Sequence, residues 1–165
     1  MHVYRLEREH WVPRPLAEIF RFFSDARNLA LLTPPRLHFE IVDAPGNLAL
    51  RTSSADVRIE NPGGKVNVDN RNGNIDVRYS VAPKDDIQIT NSSSEITLSL
   101  PSKTNFEIVA DCHSCDINSD FAGSGLNQTT TKSGDSHLEG KYGSGRSIRI
   151  ILRTSYGSIN IRKTS

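Results

Sequence analysis

This sequence has few cysteines, no marked excess of either charge and no long apolar run. Only Cys112 and Cys115 occur in 165 residues, which excludes a framework of several disulfide bonds. The 20 basic side chains nearly cancel the 19 acidic ones, so no overall field would draw the chain to nucleic acid or to an anionic membrane. No apolar run approaches the roughly 20 residues that cross a bilayer. We therefore expect no nucleic acid partner and no membrane span.

The start of the chain is charged rather than apolar. Residues 1–9 alternate charged and apolar side chains and lack the continuous apolar stretch of a signal peptide. As written, the sequence predicts a cytoplasmic chain, with the cell envelope as the alternative. Because 36% of the residues are hydrophobic and 24% are charged, the composition is polar but still that of a folded chain.

Composition changes abruptly at Ala44-Pro45-Gly46-Asn47. More than half of the eleven aromatic residues precede this point, whereas Ser, Thr and Asn are sparse before it and abundant after it. Proline and glycine here favour a turn, as is usual between domains. The sequence therefore predicts a small α+β segment over residues 1–45 and a β-repeat domain over residues 46–165.

The first segment is predicted to form a strand, two helices and a second strand. Apolar residues at i, i+3, i+4 and i+7 give the first helix one apolar face, and alternation predicts the second strand. The helix residues are Leu16, Ile19, Phe20 and Phe23, and the strand residues are Leu37, Phe39 and Ile41.

Three motifs in this segment carry a family resemblance: Trp11-Val12-Pro13-Arg14-Pro15-Leu16, Phe20-Arg21-Phe22-Phe23-Ser24-Asp25-Ala26-Arg27-Asn28-Leu29 and Thr33-Pro34-Pro35. With them, residues 1–43 resemble a truncated N-terminal part of the SRPBCC (START-like, polyketide-cyclase-type) superfamily. The resemblance implies an alternative function, apolar small-molecule binding or cyclase-like activity. Under this alternative an apolar pocket would be lined by Trp11, Phe20, Phe23 and Phe39. The competing interpretation of these aromatics is an ordinary core between helix and sheet.

A turn, a glycine or serine and then aliphatic residues at every second position recur after residue 46. Each such unit can cover its apolar face only by stacking on the next, as in repeat architectures. The sequence therefore predicts a mainly β fold of stacked short strands, a β-solenoid or β-roll, with a β-sandwich as the alternative. Alternation also predicts that Ile159 and Ile161 point inward and that Asn160 faces water. The clearest copies of the unit are Thr154-Ser155-Tyr156-Gly157-Ser158-Ile159-Asn160-Ile161, Asn70-Arg71-Asn72-Gly73-Asn74-Ile75-Asp76-Val77 and Asn91-Ser92-Ser93-Ser94-Glu95-Ile96-Thr97-Leu98.

Residues 47–163 also resemble a known family, on the motifs Leu98-Ser99-Leu100-Pro101, Asp116-Ile117-Asn118-Ser119-Asp120-Phe121 and Leu152-Arg153-Thr154-Ser155-Tyr156-Gly157-Ser158-Ile159-Asn160-Ile161. The family is a bacterial adhesin-like β-repeat domain of unknown function. Its pattern has Ser-Gly before Asp-Ile, whereas this chain has Ser114-Cys115, which predicts different backbone angles in that turn. The resemblance implies a non-enzymatic binding or structural module. Its partner would be a protein or glycan surface, or a second copy of the chain.

The stretch Cys112-His113-Ser114-Cys115 is the strongest candidate for chemistry. Paired thiols around a histidine suit a metal site, a disulfide or a plain turn. On a continuous strand the two Cα atoms would lie roughly 10 Å apart, beyond the ~7 Å limit for a bridge, so only a turn at His113-Ser114 permits a disulfide. The sequence holds neither the remaining zinc ligands nor a nucleophile elbow nor a phosphate loop. We therefore predict no catalytic residue, no metal and no cofactor, and we expect both cysteines to be dispensable for the fold provided that neither thiol is deeply buried.

Overall fold

The computed structural model describes residues 37–164, with side chains from Glu40 onward. The chain divides into two compact units, Met1–Pro35 and Arg36–Ser165. Within residues 37–164 the backbone forms strands and turns, and none of it is a helix that could span a membrane. The strands are β1 (Leu37–Val42), β2 (Leu48–Arg51), β3 (Ala55–Glu60), β4 (Val66–Asn72), β5 (Ile75–Arg78), β6 (Ile87–Ser93), β7 (Ile96–Pro101), β8 (Phe106–Cys112), β9 (Asp116–Ser119), β10 (Leu126–Thr130), β11 (Ser136–Tyr142), β12 (Ile148–Thr154) and β13 (Ser158–Thr164).

The strands form two sheets that face each other across one core. One sheet has six strands in the order β1-β3-β5-β7-β13-β9, and the other has seven in the order β10-β11-β8-β12-β6-β4-β2. Neighbouring strands are parallel except in the pairs β10–β11 and β11–β8. We call two consecutive strands joined by a turn, such as β4 and β5, a rung. Each rung contributes one strand to each sheet, which confirms the predicted stacked β-solenoid architecture.

The rung formed by β12 and β13 comes last in the sequence but lies between other rungs in the stack. Strand β12 lies between β6 and β8, and β13 lies between β7 and β9. Ile159 is consequently aligned with Ile96 on one side and with Ile117 on the other. The carboxyl-terminal rung thus joins the first three rungs to the β8–β9 rung, and its two strands are buried on both edges.

Aliphatic residues at alternate positions fill the space between the sheets. Ile159 and Ile161 are fully buried, as predicted. The prediction that Asn160 faces water is wrong, because this outward side chain is only 7% exposed. Its Oδ1 accepts a hydrogen bond from Asn118 Nδ2 at 3.1 Å, and Arg162 lies over it. Side chains on the neighbouring strand and two positions along β13 therefore cover an outward position.

Within a rung the backbone turns a corner from the seven-stranded to the six-stranded sheet. At this corner most rungs carry a polar side chain that donates hydrogen bonds to backbone carbonyl oxygens. Asn70 Nδ2 donates to the carbonyl oxygens of Ala55 and Asn72, both at 2.9 Å. In the next rung Asn91 Nδ2 donates to Gly73 O at 3.0 Å. In the inserted rung Thr154 takes the same place and donates to Tyr156 O at 2.9 Å. These contacts explain the polar residue that stands five positions before Ile75, Ile96 and Ile159, the first inward aliphatic residues of β5, β7 and β13.

The division between the two compact units precedes the predicted boundary at residues 45 and 46. The second strand predicted for the first segment is confirmed as β1, but it pairs in parallel with β3 of the solenoid. Ile41 lies opposite Ile59 and packs against the core. Ala44-Pro45-Gly46-Asn47 is therefore a turn between two strands of one unit. The helices predicted within residues 1–36 lie outside the described residues.

The β10–β11 hairpin and an aromatic cluster close the β8–β9 end of the stack. Phe106 lies edge-to-face with Phe121 at 5.1 Å and stacks with Tyr142 at 5.4 Å between ring centroids. The Lys163 ammonium lies 5.1 Å from the Phe121 ring. Strand β9 has only four residues, and Gln128 Nε2 of β10 donates to its Ile117 carbonyl at 2.8 Å. The end of the core is thus covered, and one outward carbonyl of β9 has a side-chain partner.

Candidate functional site

The outer face of the seven-stranded sheet carries aligned rows of polar side chains, and we call this surface the ladder face. Parallel pairing places equivalent positions of successive strands side by side, about 4.8 Å apart. The first row is Arg51, Asp69, Thr90, Arg153, Asp111 and His137. A second row contains Asp86, Arg149, Glu107 and Lys141. Basic and acidic side chains follow one another along both rows, with Thr90 as one neutral step.

Ion pairs connect neighbours within these rows. Arg51 Nε lies 3.2 Å from Asp69 Oδ2, and Arg153 Nε lies 3.5 Å from Asp111 Oδ2. In the second row Lys141 Nζ lies 3.8 Å from a Glu107 carboxylate oxygen. Exposed pairs of this kind contribute about 0 to 1 kcal/mol each. They orient the charged groups on the ladder face more than they stabilise the fold.

His137 is the titratable centre of the first row. Its Nδ1 lies 2.7 Å from Asp111 Oδ1, and its Nε2 lies 3.5 Å from a carboxylate oxygen of Glu139. The hydrogen bond to Asp111 raises the pKa of His137, against a smaller opposing effect of desolvation, and Glu139 adds to the increase. The charge of this end of the ladder face therefore depends on pH near neutrality.

An apolar patch lies between the two charged rows. Val109 on β8 is 36% exposed, and Ile151 on β12 is half-buried directly beside it. Asn67 and Gln88 continue the same middle row toward β4 and β6. The ladder face thus combines an apolar centre with charged and amide groups around it.

Two shallow concavities border the ladder face. One of about 370 Å³ is lined by Ala49, Leu50, Arg51, Asn67, Asp69, Gln88 and Thr90. The other, of about 240 Å³, is lined by Asp111, Cys112, His113, Thr131, Asp135, Ser136 and His137. A third concavity of about 380 Å³ lies elsewhere, between stacked turns near Tyr79 and Val81.

Cys112 and Cys115 form a disulfide at the corner beside the smaller concavity. Their Cα atoms are 5.3 Å apart because the backbone turns at His113 and Ser114, which was the condition set by the sequence. Ser114 has a φ of 54°, whereas the equivalent turns place positive φ one residue later, at Gly73 and Gly157. The predicted change of backbone angles is confirmed.

Asp135 fixes this turn from the β10–β11 hairpin. One of its carboxylate oxygens accepts the Ser114 backbone N–H at 3.0 Å and lies 2.7 Å from His113 Nδ1. The other accepts the Ser133 hydroxyl at 2.9 Å. Hydrogen bonds from the Ser114 N–H and the Ser133 hydroxyl lower the pKa of Asp135. Within residues 37–164 no group of three His, Cys, Asp or Glu side chains is arranged to hold a metal ion.

Most of the pocket residues proposed from the sequence lie outside the described part of the chain, so the pocket stays a prediction. Trp11, Phe20 and Phe23 lie outside the described residues. Phe39 lies in β1, where its backbone is aligned with Val57. The ladder face was missed by sequence reasoning, although its polar positions alternate visibly with the aliphatic ones. Which strands are neighbours was not known, so the rows could not be assembled.

Comparison with known proteins gives a family and a solved structure with partial similarity. A solved structure of a candidate cell adhesion protein from Clostridium sporogenes is 20% identical and covers 77% of this chain, with a TM-score of 0.49. The chain spans 56% of that protein. No curated protein sequence matches the chain. A family match over residues 40–162 covers most of the predicted β-repeat region, and the chain belongs to the Toastrack DUF4097 family.

Proposed function

We propose that this chain is a non-enzymatic, adhesin-like binding module that recognises a protein or glycan surface through the ladder face. The observation that carries the proposal is the arrangement of Arg153, Asp111 and Arg149 around exposed Val109. An apolar centre with a polar rim is the usual anatomy of a recognition surface. Charged groups in fixed rows would set the orientation of a partner and the rate of encounter.

The ladder face is organised before any partner arrives. Its inner strands, from β11 to β4, are held by backbone pairing on both edges, and its charged groups contact one another rather than bulk solvent alone. Binding to a preorganised surface avoids much of the entropy that flexible side chains lose at an interface. The solenoid thus supports recognition by a broad, nearly flat surface.

We also propose that the chain works in the cell envelope. Disulfides persist in oxidising compartments and are rare in the cytosol, and Cys112 and Cys115 are bonded. The test is to trap thiols with a maleimide polymer in intact, acid-quenched cells and to compare mobility with a reduced sample. Unmodified protein would support the envelope, and modification of both thiols before reduction would contradict it.

Arrays of purified glycans and purified surface proteins, read with labelled protein, test the binding role. We expect Arg153→Glu to reduce binding of any specific partner about tenfold or more, since truncated interface charges commonly cost this much. Val109→Ser should act in the same direction. The matched controls are Arg58→Glu on the six-stranded sheet and Val81→Ser in the β5–β6 turn, both exposed and away from the ladder face.

Binding that is lost equally in the ladder variants and in their controls would contradict the proposal. So would binding that survives all four substitutions. Binding on the glycan array would indicate a glycan partner, and binding on the protein array would indicate a protein partner.

A further inference from the structure

Strand β10 lies at one edge of the seven-stranded sheet. Within residues 37–164 it pairs only with β11, so its other side has no strand beside it. Residues 123–131, which contain β10, include no Lys, Arg, Asp, Glu or Pro. Natural proteins usually place such residues, or a covering segment, at exposed edges to prevent pairing with another chain. At the β9 edge Gln128 already occupies the Ile117 carbonyl, so the two edges at this end of the stack differ.

The backbone hydrogen bonds show which groups of β10 point away from the sheet. Lys141 N donates to Gly125 O, and Thr131 N donates to Asp135 O, both at 2.8 Å. Antiparallel pairing alternates, so Asn127 and Thr129 also direct their backbone groups to β11. The N–H and C=O groups of Gln128 and Thr130, together with Leu126 O, therefore point outward.

The edge is also held in an extended form. The Gln128 side chain is anchored on Ile117 O at 2.8 Å, and the Thr130 hydroxyl lies 3.3 Å from that of Ser136. The side chains of Asn127 and Thr129 lie on the opposite, outer side and are exposed. An incoming strand would find its backbone partners already in place.

We propose that β10 pairs antiparallel with β10 of a second copy of this chain, with Gln128 of the two copies opposite each other. In this register each Gln128 N–H donates to the partner's Gln128 carbonyl, and each Thr130 N–H donates to the carbonyl of the partner's Leu126. Asn127 faces the partner's Thr129, so no charged side chain meets another. Because this register pairs the strand with an identical strand and brings no like charges together, a two-fold axis can relate the two copies. The pairing leaves the ladder face free and does not depend on what that face binds.

Sedimentation velocity between about 10 and 500 μM is the direct test, because an interface of this size is small and usually weak. The wild type should shift from monomer to dimer across this range. Asn127→Lys with Thr129→Lys should abolish the shift, since like charges would then face each other twice across the axis. Asn127→Lys with Thr129→Glu should restore the shift, since each Lys would face a Glu. The two double variants change the same positions and are each other's control.

Thr130→Pro provides a variant without added charge. It removes an outward donor but no hydrogen bond to β11, as proline at a free edge can. It should weaken the dimer at least tenfold while the circular dichroism spectrum stays that of the wild type. A wild type that is monomeric at 500 μM, or a Lys/Lys variant that still dimerises, would overturn the proposal. Fast hydrogen exchange of the Gln128 and Thr130 amides at every concentration would show an edge left open for a different extended chain, and would also overturn it.

Discussion

Replacing Asn70 tests whether the corner side chains hold successive rungs together. Asn70 is fully buried, and its Nδ2 donates to Ala55 O, to Asn72 O and, at 3.3 Å, to Gly73 O. Ala55 belongs to the preceding rung, so one amide group connects two rungs. Asn70→Ala removes these hydrogen bonds and leaves the buried Ala55 carbonyl oxygen and the part-buried oxygens of Asn72 and Gly73 without them.

The expected cost follows from the number and burial of these contacts. A net hydrogen bond contributes about 1 kcal/mol, and a buried group left unsatisfied costs about 1 to 3 kcal/mol. We therefore expect Asn70→Ala to lower the free energy of unfolding by about 2 to 4 kcal/mol. For a domain of this size the melting temperature should fall by roughly 10 °C. Asn67→Ala, at an exposed position of the same strand, should cost less than about 0.5 kcal/mol.

Asn70→Asp adds a pH dependence of known sign. Burial against carbonyl oxygens should raise the folded-state pKa of this carboxyl above its unfolded value of about 3.9. Below pH 3.9 the group is protonated in both states, so the added charge costs nothing. The destabilisation should grow as the pH rises from 3.9 to the folded-state pKa and stay constant above it. Urea unfolding at several pH values measures this, and Asn70 variants no less stable than Asn67→Ala would refute the role of the corner contacts.

Three further predictions concern the core, the disulfide and His137. Ile159→Ala should cost about 2 to 5 kcal/mol, and Asn160→Ala about 1 kcal/mol because its amide is covered; equal costs in urea unfolding would contradict the alternation. Replacing Cys112 and Cys115 together by Ser should cost about 2 kcal/mol for the entropy of closing so short a loop, and more because both side chains are buried, whereas a chelator should not change the melting temperature. The raised pKa of His137 contributes stability that is complete below its unfolded value of about 6.5 and is lost as the pH rises through the folded value. His137→Gln should remove this part of the pH dependence, and an unchanged profile would show that the Asp111 contact is not made in solution.

The strands and their inward faces could be predicted from the sequence because the two signals are local. A turn residue followed by aliphatics at every second position marks each rung, as at Asn72-Gly73-Asn74-Ile75. Positive φ at Gly73 and at Gly157 favours glycine, so glycine there marks the corner directly. Ser94 has a φ of 111° at the equivalent position, which is why the repeat was recognisable there only from its neighbours.

The order of the rungs could not be predicted from the sequence. Ile96, Ile117 and Ile159 present equivalent aliphatic side chains at equivalent positions, so each rung could stack on any other. The insertion of β12 and β13 is decided by long-range pairing. The ladder face could not be predicted for the same reason, since Arg153 and Asp111 become neighbours only through that insertion.

The place of β1 also depends on long-range pairing. Strand β1 lies in the aromatic-rich part of the chain, yet its pairing with β3 places it in the β domain. The Cys112–Cys115 bond was one of three interpretations, and the turn geometry at Ser114 selected it.

Inter-strand nuclear Overhauser effects at Ile150 test the insertion of the last rung most directly. Ile150 of β12 is aligned with Ile87 of β6 on one side and with Ile108 of β8 on the other. We predict cross-peaks from the Ile150 backbone to both strands and none between the backbones of Ile87 and Ile108. Direct Ile87 to Ile108 cross-peaks, with Ile150 contacting only one strand, would contradict the account.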